Sequence, residues 1–166
     1  KRSLTDLEQM FELLTENAEI QDTPGAPPLA VAGGEVAFEN VSFAYDERRP
    51  VLNDISFTVP AGKSVAIVGP SGAGKSTISR LLFRFYDVTD GRIRIDGQDI
   101  REVTQGSLRA AIGMVPQDTV LFNDTIFYNI AYGRPDASPA EVERAARLAR
   151  IHDFVMDQPD GYHTMV

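Results

Sequence analysis

Apolar side chains at Leu4, Leu7, Phe11 and Leu14, with Met10 and Leu13 beside them, recur at helical spacing, which predicts a short amphipathic helix over residues 1–17. The pattern then breaks at Asp22-Thr-Pro-Gly-Ala-Pro-Pro28, a run that reads as a Pro-rich linker. Strand-like alternation follows. Val36 and Phe38 share one phase, and Val41, Phe43 and Tyr45 share the opposite one, so a bulge or bend is expected between them. Ile55, Phe57 and Val59 alternate again after the polar turn from Asp46 to Pro50. Ser64 to Val68 is a short continuous apolar run, the pattern of a strand covered on both faces of a parallel sheet. Beyond it, Ile78, Leu81, Leu82 and Phe85 predict one helix face. Arg92 to Asp96 reads as a strand closed by the turn pair Asp96-Gly97, and Ile112 to Val115 as a strand stopped by Pro116. Ser138-Pro-Ala-Glu141 is a capping box with Pro at the first helical position, opening a helix to about Arg150. Strands and helices around a buried strand predict an α/β fold with an antiparallel strand subdomain beside a parallel core. The expected divisions are a helical extension over 1–20, a linker over 21–33 and one domain over 34–166.

Composition narrows the partners. Sixteen Lys and Arg against 24 Asp and Glu leave a net charge of −8, which argues against bulk electrostatic binding to nucleic acid or an anionic lipid surface. There is no cysteine, hence neither a disulfide framework nor a thiolate metal site. No apolar run approaches the roughly 18 residues of a membrane span, and no signal peptide is visible. The chain opens at Lys1 without an initiator Met and closes at Val166 without a helix stop, so both ends are expected to be cuts within a longer polypeptide.

The chemistry concentrates in Gly69-Pro-Ser-Gly-Ala-Gly-Lys75-Ser76-Thr77, which fits G-x-x-x-x-G-K-[ST] between an expected strand and an expected helix. Gly72 and Gly74 let the backbone turn tightly and aim successive N–H groups inward. Those groups, with the following helix N-terminus, suit phosphate oxygens. Lys75 suits the β- and γ-phosphates of ATP, and the Ser76 hydroxyl suits Mg²⁺. Gly69, Pro70, Ser71, Gly72, Ala73, Gly74, Lys75, Ser76 and Thr77 are therefore the candidate nucleotide-binding loop. The bland alternative is a glycine-rich surface loop with a solvated lysine.

With these residues in view, the stretch from Glu35 to Val166 resembles the ATP-binding domains of ABC transporters. The segments that carry the likeness are Phe38-Glu-Asn-Val-Ser-Phe-Ala-Tyr45, Val65-Ala-Ile-Val-Gly-Pro-Ser-Gly-Ala-Gly-Lys-Ser-Thr77, Gly91-Arg-Ile-Arg-Ile-Asp-Gly97 and Val115-Pro-Gln-Asp118. Phe83-Arg-Phe-Tyr-Asp-Val-Thr89 and Asp118 to Ile130 look closest to the mitochondrial-type exporters, which handle glutathione-linked compounds and support iron–sulfur and heavy-metal homeostasis. The resemblance implies a RecA-like P-loop NTPase core with an antiparallel β subdomain and the start of a helical subdomain. It also implies that Tyr45 stacks on adenine, and that Gln117 contacts Mg²⁺ and the attacking water and senses the membrane domain. On residues alone, Tyr45 reads as an ordinary strand residue and Gln117 as a surface residue.

Four parts of such ATPases are not in the 166 residues: the Leu-Ser-Gly-Gly signature, the acidic strand end, the catalytic glutamate and the switch histidine. The expectation is a chain truncated before the signature. The implied partners are membrane-spanning domains of the same polypeptide and a second ATP-binding domain paired head to tail, as a homodimer, on the cytoplasmic or mitochondrial matrix side of a membrane. Two rival readings are a non-transport ABC protein of DNA repair or translation, and a nucleotide-binding module without turnover. His152 reads as an exposed or capping residue. Asp96, Asp99 and Glu102 read as a solvated turn rather than a metal site.

Overall fold

The structure, a computed structural model, describes residues 19–46, 48–117 and 119–166. The helix expected over residues 1–17 lies outside the described residues. The described chain forms two compact units, one ending at Gly113 and the other running from Met114 to Val166.

The first unit is built on a four-stranded antiparallel sheet in the order β2-β1-β3-β4. Its strands are β1 (Val36–Asp46), β2 (Arg49–Val59), β3 (Asp90–Ile95) and β4 (Gln98–Asp99). The change of hydrophobic phase in β1 is a real irregularity. The β1–β2 register shifts between Phe38 and Val41, where Asn40 takes a φ of 49°. One extra residue there returns Val41 and Phe43 to the same buried face as Phe38. Phe38 pairs across the strands with Phe57, and their rings stack 4.6 Å apart. Phe38, Val41, Phe43, Leu52, Ile93 and Ile95 form the sheet's share of the core.

Helix α1 (Lys75–Leu82) and helix α2 (Gln105–Ala110) bury Leu81 and Leu108 against this face, with Ile100 and Val103 between them. The expected face of α1 holds for Ile78, Leu81 and Leu82 but not for Phe85. The helix stops before it, because Arg84 adopts the left-handed region at φ 50°. Phe85 is left 47% exposed, with the Arg109 guanidinium 5.3 Å from its ring centroid.

Two expected strands do not form. Residues 64–68 lie outside any strand, with Val65, Ile67 and Val68 exposed. Residues 112–115 likewise lie outside any strand, and Val115 is 95% exposed. A strand covered on both faces needs a hydrogen-bonded neighbour and layers above and below it. Among the described residues no segment pairs with either run, so neither run is part of a sheet.

The residues between the Pro-rich stretch and β1 are closely fastened. Asp96 and Gly97, both at positive φ, close the two-residue β3–β4 hairpin. The Asp96 carboxylate accepts the backbone N–H groups of Ala32, Gly33, Gly34 and Glu35 at 2.8–3.0 Å. Gln98 bonds both backbone groups of Ala30, and Ser107 Oγ accepts from the Leu29 N–H. Farther back, Arg84 is almost fully buried. It donates to the Gln21 carbonyl at 3.1 Å and to Asp87 at 2.9 Å, and it lies 3.9 Å from Asp22. Asp96 is therefore an anchor rather than a solvated turn residue, and Asp99 is spent on Arg101 at 2.8 Å.

The second unit comprises α3 (Ile126–Ala131), α4 (Pro139–Leu148), α5 (His152–Met156) and a 3₁₀ turn (Gly161–His163). Its core residues include Ala131, Val142, Ala146 and Val155. The capping box at the start of α4 forms as expected, with the Ser138 N–H donating to Glu141 at 2.9 Å. That bond, the Ser138 hydroxyl and the Arg134 guanidinium together hold the Glu141 carboxyl at about 2.

Candidate functional site

The glycine-rich loop runs directly into α1. Gly74 is the N-cap of the helix at φ 85°, and Gly72 sits at φ 81°. The Gly74 position is crowded as well as left-handed: a Cβ there would lie 2.7 Å from Leu52 Cδ2. Strand β2 thus backs the loop so closely that only hydrogen fits. Inside the loop, the Ala73 N–H donates to the Pro70 carbonyl at 3.2 Å. Lys75, the first residue of α1, folds its ammonium back onto the Gly69 and Pro70 carbonyls at 2.8 and 2.7 Å. The cation is therefore stationed over the loop it would serve. The first turn of α1 carries no acidic side chain and no side-chain cap, so its positive end is not neutralised locally. Ser76 is exposed and Thr77 is buried. This donor set fits a polyphosphate: backbone N–H groups, one ammonium and one exposed hydroxyl.

Tyr45, near the end of β1, belongs to the same neighbourhood. Its hydroxyl lies 3.3 Å from Thr77 Oγ1 and accepts from Arg80 Nη1 at 3.1 Å. Its ring meets those of Phe43 and Tyr86 edge-on, at 4.8 and 5.1 Å between centroids, and the residue remains 46% exposed. Desolvation pushes the Tyr45 phenol up, but the bonds to Thr77 and Arg80 and the arginine's charge outweigh it, so the phenol stands below its ordinary value. Tyr45, in β1, is thus bonded through its hydroxyl to Thr77 and Arg80 of α1, the helix that follows the glycine-rich loop.

The ABC transporter family profile matches residues 52–165, well over half of the chain. The chain belongs to the ABC transporter family. It is 62% identical over 161 residues to ATP-binding cassette sub-family B member 6 of Homo sapiens, covering 97% of this chain and 19% of that protein. It is 60% identical over 166 residues to the ATM1-type heavy metal exporter of Novosphingobium aromaticivorans, covering all of this chain and 27% of that one. The structure of a bacterial Atm1-family ABC exporter with ATP bound superposes with a TM-score of 0.92 at 61% identity, over 99% of this chain and 29% of that one. The chain thus spans about a fifth to a quarter of the length of the curated relatives it matches. Their names agree with the resemblance to mitochondrial-type exporters drawn from residues 83–89 and 118–130.

The remaining candidates of this ABC transporter chain belong to the second unit. Gln117 is an exposed residue at a bend in the second unit. His152 is neither free nor a cap: its Nδ1 lies 2.8 Å from the Tyr162 hydroxyl. No cluster of metal-ligating side chains occurs among the described residues. Sequence reading missed Arg80 altogether. Its position three residues after Thr77 puts the two on one helix face, but only the tertiary placement of Tyr45 gives that face a meaning.

Proposed function

We propose that these residues are part of the ATP-binding motor domain of an Atm1-type exporter, where MgATP binding and hydrolysis drive transport across a membrane. The observation that supports this reading is the bonding of Tyr45, on β1, to Thr77 and Arg80 of the helix that begins at Lys75 behind the glycine-rich loop, in a chain 61% identical to an ATP-bound exporter of the same fold. In this reading Tyr45 stacks on adenine. The backbone from Gly69 to Thr77 holds the phosphates, and Lys75 leaves the Gly69 and Pro70 carbonyls to neutralise the β- and γ-phosphate charge. Ser76 and Gln117 are the side chains that would hold Mg²⁺, which would supply positive charge to offset that of the phosphates.

The partners are membrane-spanning domains of the same polypeptide and a second ATP-binding domain facing the loop head to tail, with the ATP-binding side in the cytoplasm or the mitochondrial matrix. No nucleic acid is involved, in keeping with the net charge of −8. Turnover requires the signature motif and catalytic glutamate, which these 166 residues do not contain. Positioning and charge stabilisation around the γ-phosphate carry phosphoryl transfer, so these residues alone bind nucleotide weakly and do not hydrolyse it. The test is phosphate release by the 166-residue chain and by a version extended through those motifs, each with a Lys75→Ala control. Turnover abolished by Lys75→Ala and present only in the extended chain is the expected result. Lys75-dependent turnover by the 166 residues alone would overturn it.

A further inference from the structure

Tyr45 is held from the side of the phosphate-loop helix, and one of the two residues that hold it, Arg80, is not part of the loop. Arginine is only a donor, so the tyrosine oxygen accepts from Arg80 and has its own proton to give to Thr77 Oγ1. The result is a short chain of bonds from Arg80 through Tyr45 to Thr77, closing strand β1 onto the helix whose first residue is Lys75. The two neighbouring rings meet Tyr45 at interplanar angles of 86° and 88° and limit its tilt. The hydroxyl bonds fix its reach toward α1. A ring that stacks on a base must present its face at a set distance from the phosphate site, because base and phosphates belong to one ligand. The Arg80–Tyr45 bond sets that distance, and it is a charge-assisted one, the stronger kind.

Resting on the reading of Tyr45 as the base-stacking residue, we propose that Arg80 is a positioning residue of the base site, acting through the Tyr45 hydroxyl on the nucleoside end of a nucleoside triphosphate and not on its phosphates. Loss of one such bond at an exposed site corresponds to roughly a fivefold loss of affinity.

The experiment compares ATP with inorganic tripolyphosphate, which has the phosphates but no base, by calorimetry on the intact polypeptide. Arg80→Ala weakens ATP roughly fivefold and leaves tripolyphosphate unchanged. Tyr45→Phe, which keeps the ring and loses the hydroxyl, shows the same loss. The double variant loses no more than either single one, because both remove the same bond, and Arg80→Lys recovers part of the affinity. Equal weakening of ATP and tripolyphosphate by Arg80→Ala would mean that it acts on the loop as a whole, and full additivity with Tyr45→Phe would mean that it acts independently of the hydroxyl. Either overturns the proposal and leaves the base site standing. If Tyr45→Ala leaves ATP affinity unchanged, the base-site reading itself falls, and the role of Arg80 falls with it.

Discussion

Replacing Gly74 by alanine tests the tightest packing in the site. Two costs follow from the geometry. The first is conformational: Gly74 sits at φ 85° and ψ 4°, in the left-handed region, where an L-residue costs about 1–2 kcal/mol. The second is steric: the new Cβ would come within 2.7 Å of Leu52 Cδ2, 3.2 Å of the Val51 carbonyl oxygen and 3.3 Å of Val51 Cγ1. Leu52 is 5% exposed and belongs to the core cluster, so moving its side chain tip disturbs its core neighbours. Overpacking of this kind costs about 1–3 kcal/mol. The sum is a destabilisation of about 2–5 kcal/mol. Gly72 supplies the internal control. It shares a left-handed φ, 81°, but a Cβ there meets nothing within 4 Å, so Gly72→Ala bears only the first cost. Urea unfolding followed by circular dichroism should place the Gly74→Ala midpoint well below that of Gly72→Ala, at unchanged slope. Calorimetry should show the larger loss of ATP affinity for Gly74→Ala, since relief of the clash moves the loop off strand β2. Equal midpoint shifts for the two variants would refute the close approach, and no shift in either would refute the left-handed backbone.

Three further outcomes follow. Tyr45→Ala loses the ring as well as the hydroxyl and should weaken ATP by about 1–3 kcal/mol more than Tyr45→Phe does, the worth of a stacked base, whereas Tyr45→Trp, which keeps a ring without the hydroxyl, should lose about as much as Tyr45→Phe; a loss for Tyr45→Ala no larger than theirs in direct binding measurements would count against stacking. Gln117→Ala, in the intact transporter, should lower transport-coupled ATPase more than nucleotide affinity, and proportional falls in both would leave no role for it beyond binding. The Asp96 carboxyl is held at about 2, chiefly by the Gly34 N–H and then by those of Ala32, Glu35 and Gly33. A depressed folded-state value means that the unfolded chain takes up its proton first. The anchor's contribution is therefore complete above about pH 4 and fades as the pH falls through about 2. The stability difference between wild type and Asp96→Ala should be flat above that window and shrink within it, and amide exchange at residues 32–35 should quicken in the variant at neutral pH.

Local signals in the chain were read well where their partners are close in sequence. The capping box at Ser138 and Glu141, the Asp96-Gly97 hairpin and the break of phase around Asn40 each involve residues within a few positions of one another, and each is present. The glycine-rich loop turns at Gly72 and Gly74 and opens a helix at Lys75, as its spacing predicts, though the strand expected before it is absent. The runs at 64–68 and 112–115 failed as strands because a ladder is a property of two segments, and an apolar run carries no information about whether a neighbour exists. Arg80 and Arg84 were invisible for a related reason. Each looks like an ordinary helix-end cation until the fold brings Tyr45 to one and Gln21 to the other. Within the linker expected over 21–33, the backbone N–H groups of Leu29, Ala30, Ala32 and Gly33 are bonded to side chains more than 60 residues away, which composition does not reveal.

That fastening has a mechanical side. The segment ahead of β1 is attached at two separate points, the Asp96 carboxylate at the hairpin tip and the Arg84 guanidinium at the foot of α1. The two attachments resist different displacements. Four amides converging on one carboxylate oppose sliding along the strand direction. A buried guanidinium that grips Gln21, Asp87 and the carbonyls of Ile100 and Val103 opposes peeling away from the helix end. A tug on the chain before Gln21 thus reaches the residue immediately behind the phosphate-loop helix without first straining the sheet, and a shift of that helix is returned along the same path. The segment is thus fastened at two points rather than lying slack ahead of β1.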